Sequence, residues 1–121
     1  MNAILASVIA MLLFPGSWQI NPEKVVEVTL TEWKIDMPTT LPPGLYNFKI
    51  TNAGHHSHTL KIKNKGLERK LQKDLKPGET SELKVNLKPG VYRVNCPIGF
   101  GPFGHSDKGM ELQLNVGKIT R

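Results

Sequence analysis

From Glu23 onward, apolar side chains recur at every second position in short runs. Val26, Val28 and Leu30 alternate with Glu27, Thr29 and Thr31, and Tyr46, Phe48 and Ile50 alternate with Asn47, Lys49 and Thr51. The same alternation returns at Leu60 and Ile62, at Leu83, Val85 and Leu87, at Tyr92, Val94 and Cys96, and at Leu112, Leu114 and Val116. Period two is the mark of strands that bury one face. Between the runs lie Leu41-Pro42-Pro43-Gly44, Leu75-Lys76-Pro77-Gly78 and Leu87-Lys88-Pro89-Gly90, each with a Pro-Gly pair suited to the centre of a type II turn. Together they predict a small all-β domain, an antiparallel sandwich or barrel. One segment departs from the alternation. Leu67, Leu71 and Leu75 in GLERKLQKDLK have helical spacing, which predicts a short helical turn near 66–74.

The chain has 121 residues, enough for one core and too few for two. Ala3 to Phe14 is a nearly unbroken apolar run followed by Pro15 and Gly16, and the first charged residue is Glu23. The run is shorter than the roughly 20 residues that span a bilayer, so it reads as a secretory leader. No basic residue precedes it and no Ala-x-Ala-like cleavage site follows, which leaves an uncleaved N-terminal anchor as the alternative. The expected division is residues 1–18 as signal peptide or anchor and 19–121 as the domain, exported to the periplasm or secreted.

The domain keeps every charge: 16 Lys and Arg against 10 Asp and Glu, a net +6. Lys61, Lys63, Lys65, Arg69, Lys70, Lys73 and Lys76 are clustered beside only Glu68 and Asp74. Lysines on strands discourage edge pairing, and a basic face also steers acidic partners or anionic membranes. Nucleic acid is not expected, because no aromatic residues interleave with these lysines.

A single cysteine in an exported domain has no intramolecular disulfide partner. Cys96 is therefore a buried hydrophobe, a reactive thiol or a metal ligand. The stretch NCPIGFGPFGHSDKGMELQLNV sets Cys96, His105 and Met110 close together, and NAGHHSHTLKI brings His58 to the start of another strand. Two imidazoles, a thiolate and a thioether form a soft mixed set that selects copper over harder cations. Three strong ligands with a long axial methionine suit both copper oxidation states, which is the blue-copper arrangement. Gly99, Gly101, Gly104 and Gly109 offer the unusual backbone angles such a loop needs. His55 and His56 lie on the turn side of His58 and read as surface residues.

These two segments resemble the cupredoxins, the type 1 copper family, and in particular its small secreted bacterial members. The resemblance extends from about Val25 to Val116 and implies a Greek-key β-sandwich that carries electrons. It implies His58, Cys96, His105 and Met110 as copper ligands, Thr59 as a polar residue tying the two ligand loops together, and Asn52 as the residue preceding the ligand turn. The departure is the loop between Cys96 and His105. PIGFGPFG is longer than the family's usual spacing, whereas the interval from His105 to Met110 is typical.

Phe100, Pro102 and Phe103 would either surround the outer edge of His105 as an apolar docking patch or fold down to shield the metal. The expected partners are redox proteins, acidic if the lysines steer them, with the domain itself a monomer. Membrane contact is expected only through an uncleaved leader or a membrane-bound partner. Copper storage or delivery is the second reading, although such sites are commonly methionine-rich and exposed. A Cys-His hydrolase is the third, and it lacks an evident carboxylate to orient the histidine. One cysteine is too few for a binuclear copper site, and the lone His56-Ser57-His58 pair is too little for a multicopper oxidase. Zinc would fit the same Cys-His-His set as a stray metal.

Overall fold

The computed structural model describes residues 23–99 and 103–117. The expected leader lies outside the described residues, as do Phe100, Gly101 and Pro102. The alternating runs become strands β1 (Lys24–Thr31), β2 (Lys34–Asp36), β3 (Thr40–Leu41), β4 (Gly44–Asn52), β5 (Lys61–Asn64), β6 (Leu67–Lys70), β7 (Thr80–Leu87), β8 (Gly90–Asn95) and β9 (Glu111–Val116). They form two sheets, one in the order β2-β1-β4-β7 and the other β3-β9-β8-β5-β6. The inward positions of the two sheets supply the core. Leu30, Phe48, Ile50, Leu60, Ile62, Val94 and Leu114 are fully buried there. Burial of each such side chain stabilises the fold by about 1.5–3 kcal/mol relative to exposure.

The sandwich is not wholly antiparallel. β1 and β4 are parallel, with Leu30 opposite Asn52, and β3 runs parallel to β9. After β2 turns back along β1, the chain crosses at β3 to the other sheet and returns as β4 in the direction of β1. Gly78 has φ 88° in a turn closed by the Glu79 amide donating to the Lys76 carbonyl, as a type II turn requires. Gly44 and Gly90 instead open β4 and β8. Two residues after each, a buried tyrosine hydroxyl reaches back four positions, Tyr46 to the Pro42 carbonyl at 2.5 Å and Tyr92 to the Lys88 carbonyl at 2.8 Å. The shared Gly-x-Tyr pattern therefore pins two strand entries in the same way.

The helical turn expected near 66–74 is absent. Leu67 opens β6, which pairs with β5 through Lys61–Lys70, Ile62–Arg69, Lys63–Glu68 and Asn64–Leu67. Leu71 and Leu75 are buried by a different route, their amides donating to the Leu60 and His58 carbonyls. Period-four leucine spacing arose from an edge strand running into an irregular crossover, both tied by backbone bonds to the segment carrying His58. As the outermost strand of its sheet, β6 carries Arg69 and Lys70 exposed, which suits lysine protection of an edge.

Candidate metal centre

One end of the sandwich gathers the chemistry-bearing side chains. Asn52 ends β4, Asn95 ends β8, and Met110 immediately precedes β9. His58 enters just before β5 and is held by a two-way backbone bridge to Leu75, with N–O distances of 3.0 and 2.7 Å. Asn52 is fully buried and organises the turn between them. Its amide nitrogen donates to the His56 and Leu75 carbonyls, each at 2.8 Å, and its carbonyl accepts from the Gly54 amide at 2.8 Å.

His58 is fully buried, and its two ring nitrogens have different surroundings. Nε2 lies 2.6 Å from Glu32 Oε2, whereas Nδ1 is buried with no hydrogen-bond partner. Glu32 is a residue the sequence reading passed over. Its carboxylate also accepts from the His55 amide at 2.9 Å and from the His56 amide at 3.1 Å. The His55 amide is the largest cause holding the Glu32 carboxyl down to about 2, with the His58 ring and the His56 amide adding to it against the cost of burial.

Cys96 is fully buried beyond the end of β8. Burial pushes its thiol above the ordinary value, opposed by the Thr59 amide, which reaches Sγ at 3.5 Å. The link between the two ligand segments thus runs through the Thr59 backbone, while its buried hydroxyl has no hydrogen-bond partner. The Cys96 amide donates to the Met110 carbonyl at 3.1 Å, and the Met110 amide donates to the His105 carbonyl at 3.1 Å. Met110 is fully buried. Ser106 adds a second tie: its hydroxyl donates to the Cys96 carbonyl and accepts from Asn95 Nδ2, both at 2.9 Å.

His105 is only half-buried, with Nδ1 3.5 Å from Cys96 Sγ. Burial is the main cause that lowers its imidazole pKa, and the neighbouring His58 and His56 rings act in the same direction. The His105 and His58 ring centroids are 5.1 Å apart. One ligand atom from each of His58, Cys96 and His105 lies within 4.8 Å of the others. Trp33, also missed from the sequence, packs edge-on against His105 at 4.8 Å and His58 at 6.1 Å and stacks on His56 at 5.6 Å. Lys108 Nζ sits 5.0 Å from the indole centroid. Of the loop glycines, Gly99 and Gly109 have the positive φ expected of them, 80° and 121°. A Cβ at Gly109 would come within 2.9 Å of the Trp33 carbonyl, so this close approach admits only glycine. Of the proposed patch, Phe103 is described, and it is 77% exposed. His55 and His56 are exposed, in agreement with their reading as surface residues.

The sequence matches the cupredoxin-like domain family over residues 3–106. The chain belongs to that family. No curated protein sequence matches it. Among solved structures it is similar to auracyanin B, with a TM-score of 0.62 and 17% identity over 81% of this chain and 91% of that one. It is also similar to the reduced auracyanin of the photosynthetic bacterium Roseiflexus castenholzii, with a TM-score of 0.59 and 14% identity over 80% of this chain and 99% of that one. A multicopper oxidase from Campylobacter jejuni aligns with a TM-score of 0.58 and 15% identity over 83% of this chain, which spans only 31% of that enzyme. Identities this low speak for the fold. Within a cupredoxin fold, the residues present fit copper: a buried unpartnered imidazole nitrogen, a buried thiol and a second imidazole converge, and thiolate with imidazole is a donor set that copper favours.

Proposed function

We propose that this cupredoxin is a type 1 copper electron carrier with His58, Cys96 and His105 as strong ligands and Met110 as the weak fourth. The observation that carries the reading is the convergence of a fully buried, unpartnered His58 Nδ1 with Cys96 Sγ and the His105 ring. A buried polar atom without a partner costs about 1–3 kcal/mol, so a site built around one is built for a ligand. Copper supplies a one-electron Cu(II)/Cu(I) couple. The chain's own part is to hold the donors fixed: the His58–Leu75 bridge, the Asn52 amide, the Thr59 amide on Sγ and the Ser106 hydroxyl on the Cys96 carbonyl all restrain ligand-bearing backbone. Met110, buried and bonded through its backbone to both Cys96 and His105, moves only with them.

The half-buried face of His105 is the route for electrons, since it is the more accessible of the two imidazoles. Phe103 offers an exposed apolar contact for a partner, and the exposed lysines of β5 and β6 steer an acidic redox partner. The apolar N-terminal run supports export to the periplasm. Full burial of Cys96, together with its raised thiol pKa, argues against a nucleophilic enzyme and for a carrier.

The test is the visible and paramagnetic-resonance spectrum of the Cu(II)-loaded protein beside that of Cys96→Ser. An intense thiolate-to-copper band with a narrow copper hyperfine splitting is expected in the first and its loss in the second. A spectrum indifferent to the substitution would refute thiolate ligation.

A further inference from the structure

The inward positions of β1 run Val26, Val28, Leu30, and the next position of the same parity is Glu32. A partly buried acidic side chain thus stands in the turn just beyond a core-facing series, at the end of the sandwich where Leu30 faces Asn52 in register. Three donors converge on its carboxylate: the His55 amide at 2.9 Å to each oxygen, the His56 amide at 3.1 Å, and the His58 ring with Nε2 at 2.6 Å from Oε2. The neighbouring turn is cut back to admit it. A Cβ at Gly54 would lie 2.2 Å from Glu32 Oε2 and 2.9 Å from its carboxyl carbon. The atoms it would meet are the far end of the Glu32 side chain, so such a Cβ would push the carboxylate off the His55 and His56 amides.

A carboxylate that collects donors is an acceptor only, so the proton between Glu32 and His58 belongs to the ring. With Nε2 protonated, Nδ1 carries the lone pair, and Nδ1 is the buried nitrogen without a partner. Side chains that hydrogen-bond the far nitrogen of a ligating histidine fix its tautomer and orientation and raise its basicity as a donor. We infer that Glu32 is a positioning residue for the metal centre: it selects the Nε2–H tautomer of His58, locks the ring with Nδ1 free, and places a negative charge beside this ligand that favours the oxidised metal. The last element rests on the copper reading above; the tautomer does not.

The test has two arms. In the metal-free protein, 15N-detected imidazole spectra of His58 should show the Nε2–H tautomer with a slowly exchanging ring proton. Glu32→Gln and Gly54→Ala should each mix or reverse that tautomer. The first removes the charge in place, and the second displaces the intact carboxylate. In the copper-loaded protein, both variants should keep the thiolate band but lose Cu(II) affinity by about 10–100-fold. Because Cu(I) binding is less sensitive to the lost charge, the reduction potential should rise, by 59 mV for each tenfold change in the one-electron equilibrium. An Nδ1–H tautomer in the wild-type protein, or a tautomer unchanged in both variants, would overturn the inference whatever metal the site takes. A wild-type thiolate band with potential and Cu(II) affinity unaltered in both variants would overturn the charge effect while leaving the copper reading intact. A missing band in the wild type would count against the copper reading, and the metal-free arm would then decide the tautomer alone.

Discussion

The ring centroids of His58 and His105 are 5.1 Å apart, yet the two side chains are held in different ways. His58 is fully buried, bridged through its backbone to Leu75, and braced at Nε2 by Glu32, while Asn52 ties the preceding turn from inside. His105 is half-buried in a loop whose described tip, Phe103, stands 77% exposed. Its backbone is tied as closely, by its amide on the Ile98 carbonyl and the Lys108 and Met110 amides on its own carbonyl, but its ring has Trp33 at its edge and no carboxylate hydrogen-bonded to it as Glu32 is to His58. A carrier needs this asymmetry. In the proposed carrier, one side of the centre would keep the ligand set unchanged between oxidation states, and the other would bring the couple close to a partner.

If the fixed side is the structural one, its loss should cost the most. Asn52→Ala removes three hydrogen bonds and leaves the His56 and Leu75 carbonyls without their side-chain donor, so urea unfolding of the metal-free protein should show a loss of about 2–4 kcal/mol. A loss below about 1 kcal/mol would mean that the turn carrying His58 is not held as described. On the other side, Ser106→Ala unties Asn95 Nδ2 from the Cys96 carbonyl and should cost about 1–2 kcal/mol by the same measurement. Equal costs for the two substitutions would erase the asymmetry. The smallest effect on stability belongs to Phe103→Ala, within about 0.5 kcal/mol because the ring is mostly exposed. That variant should nevertheless exchange electrons with a partner protein several-fold more slowly, with its visible spectrum unchanged. A shifted spectrum with an unchanged rate would return Phe103 to a shielding role.

Period-two alternation made the strands legible, because each buries one face and the pattern repeats without competing signals. Parity also carried more information than the apolar residues alone suggest: Asn52 continues Tyr46, Phe48 and Ile50, His58 precedes Leu60 and Ile62, and Cys96 follows Tyr92 and Val94, all pointing inward. Glu32 obeys the same parity after Leu30. It was missed because an acid at a strand end ordinarily reads as solvated, and only the fold brings the His55–His58 turn over it. Trp33 has no comparable signal, since its ring meets histidines distant in sequence. Parallel pairing of β1 with β4 was equally hidden, because alternation reports which face is buried and not the direction of the neighbouring strand. The mistaken helical turn shows the reverse failure. Leucines at period four came from two unrelated elements, and burial by backbone ties to Leu60 and His58 mimicked the spacing of a helix.

As proposed, Cys96, His58, His105 and Met110 form one centre that takes and returns an electron without losing its metal. A redox titration of the copper-loaded protein followed at the thiolate band tests it most directly. The band should bleach with one electron per protein and return fully on reoxidation, copper remaining bound throughout. Release of copper on reduction, or a band that fails to return, would contradict it and favour a delivery protein.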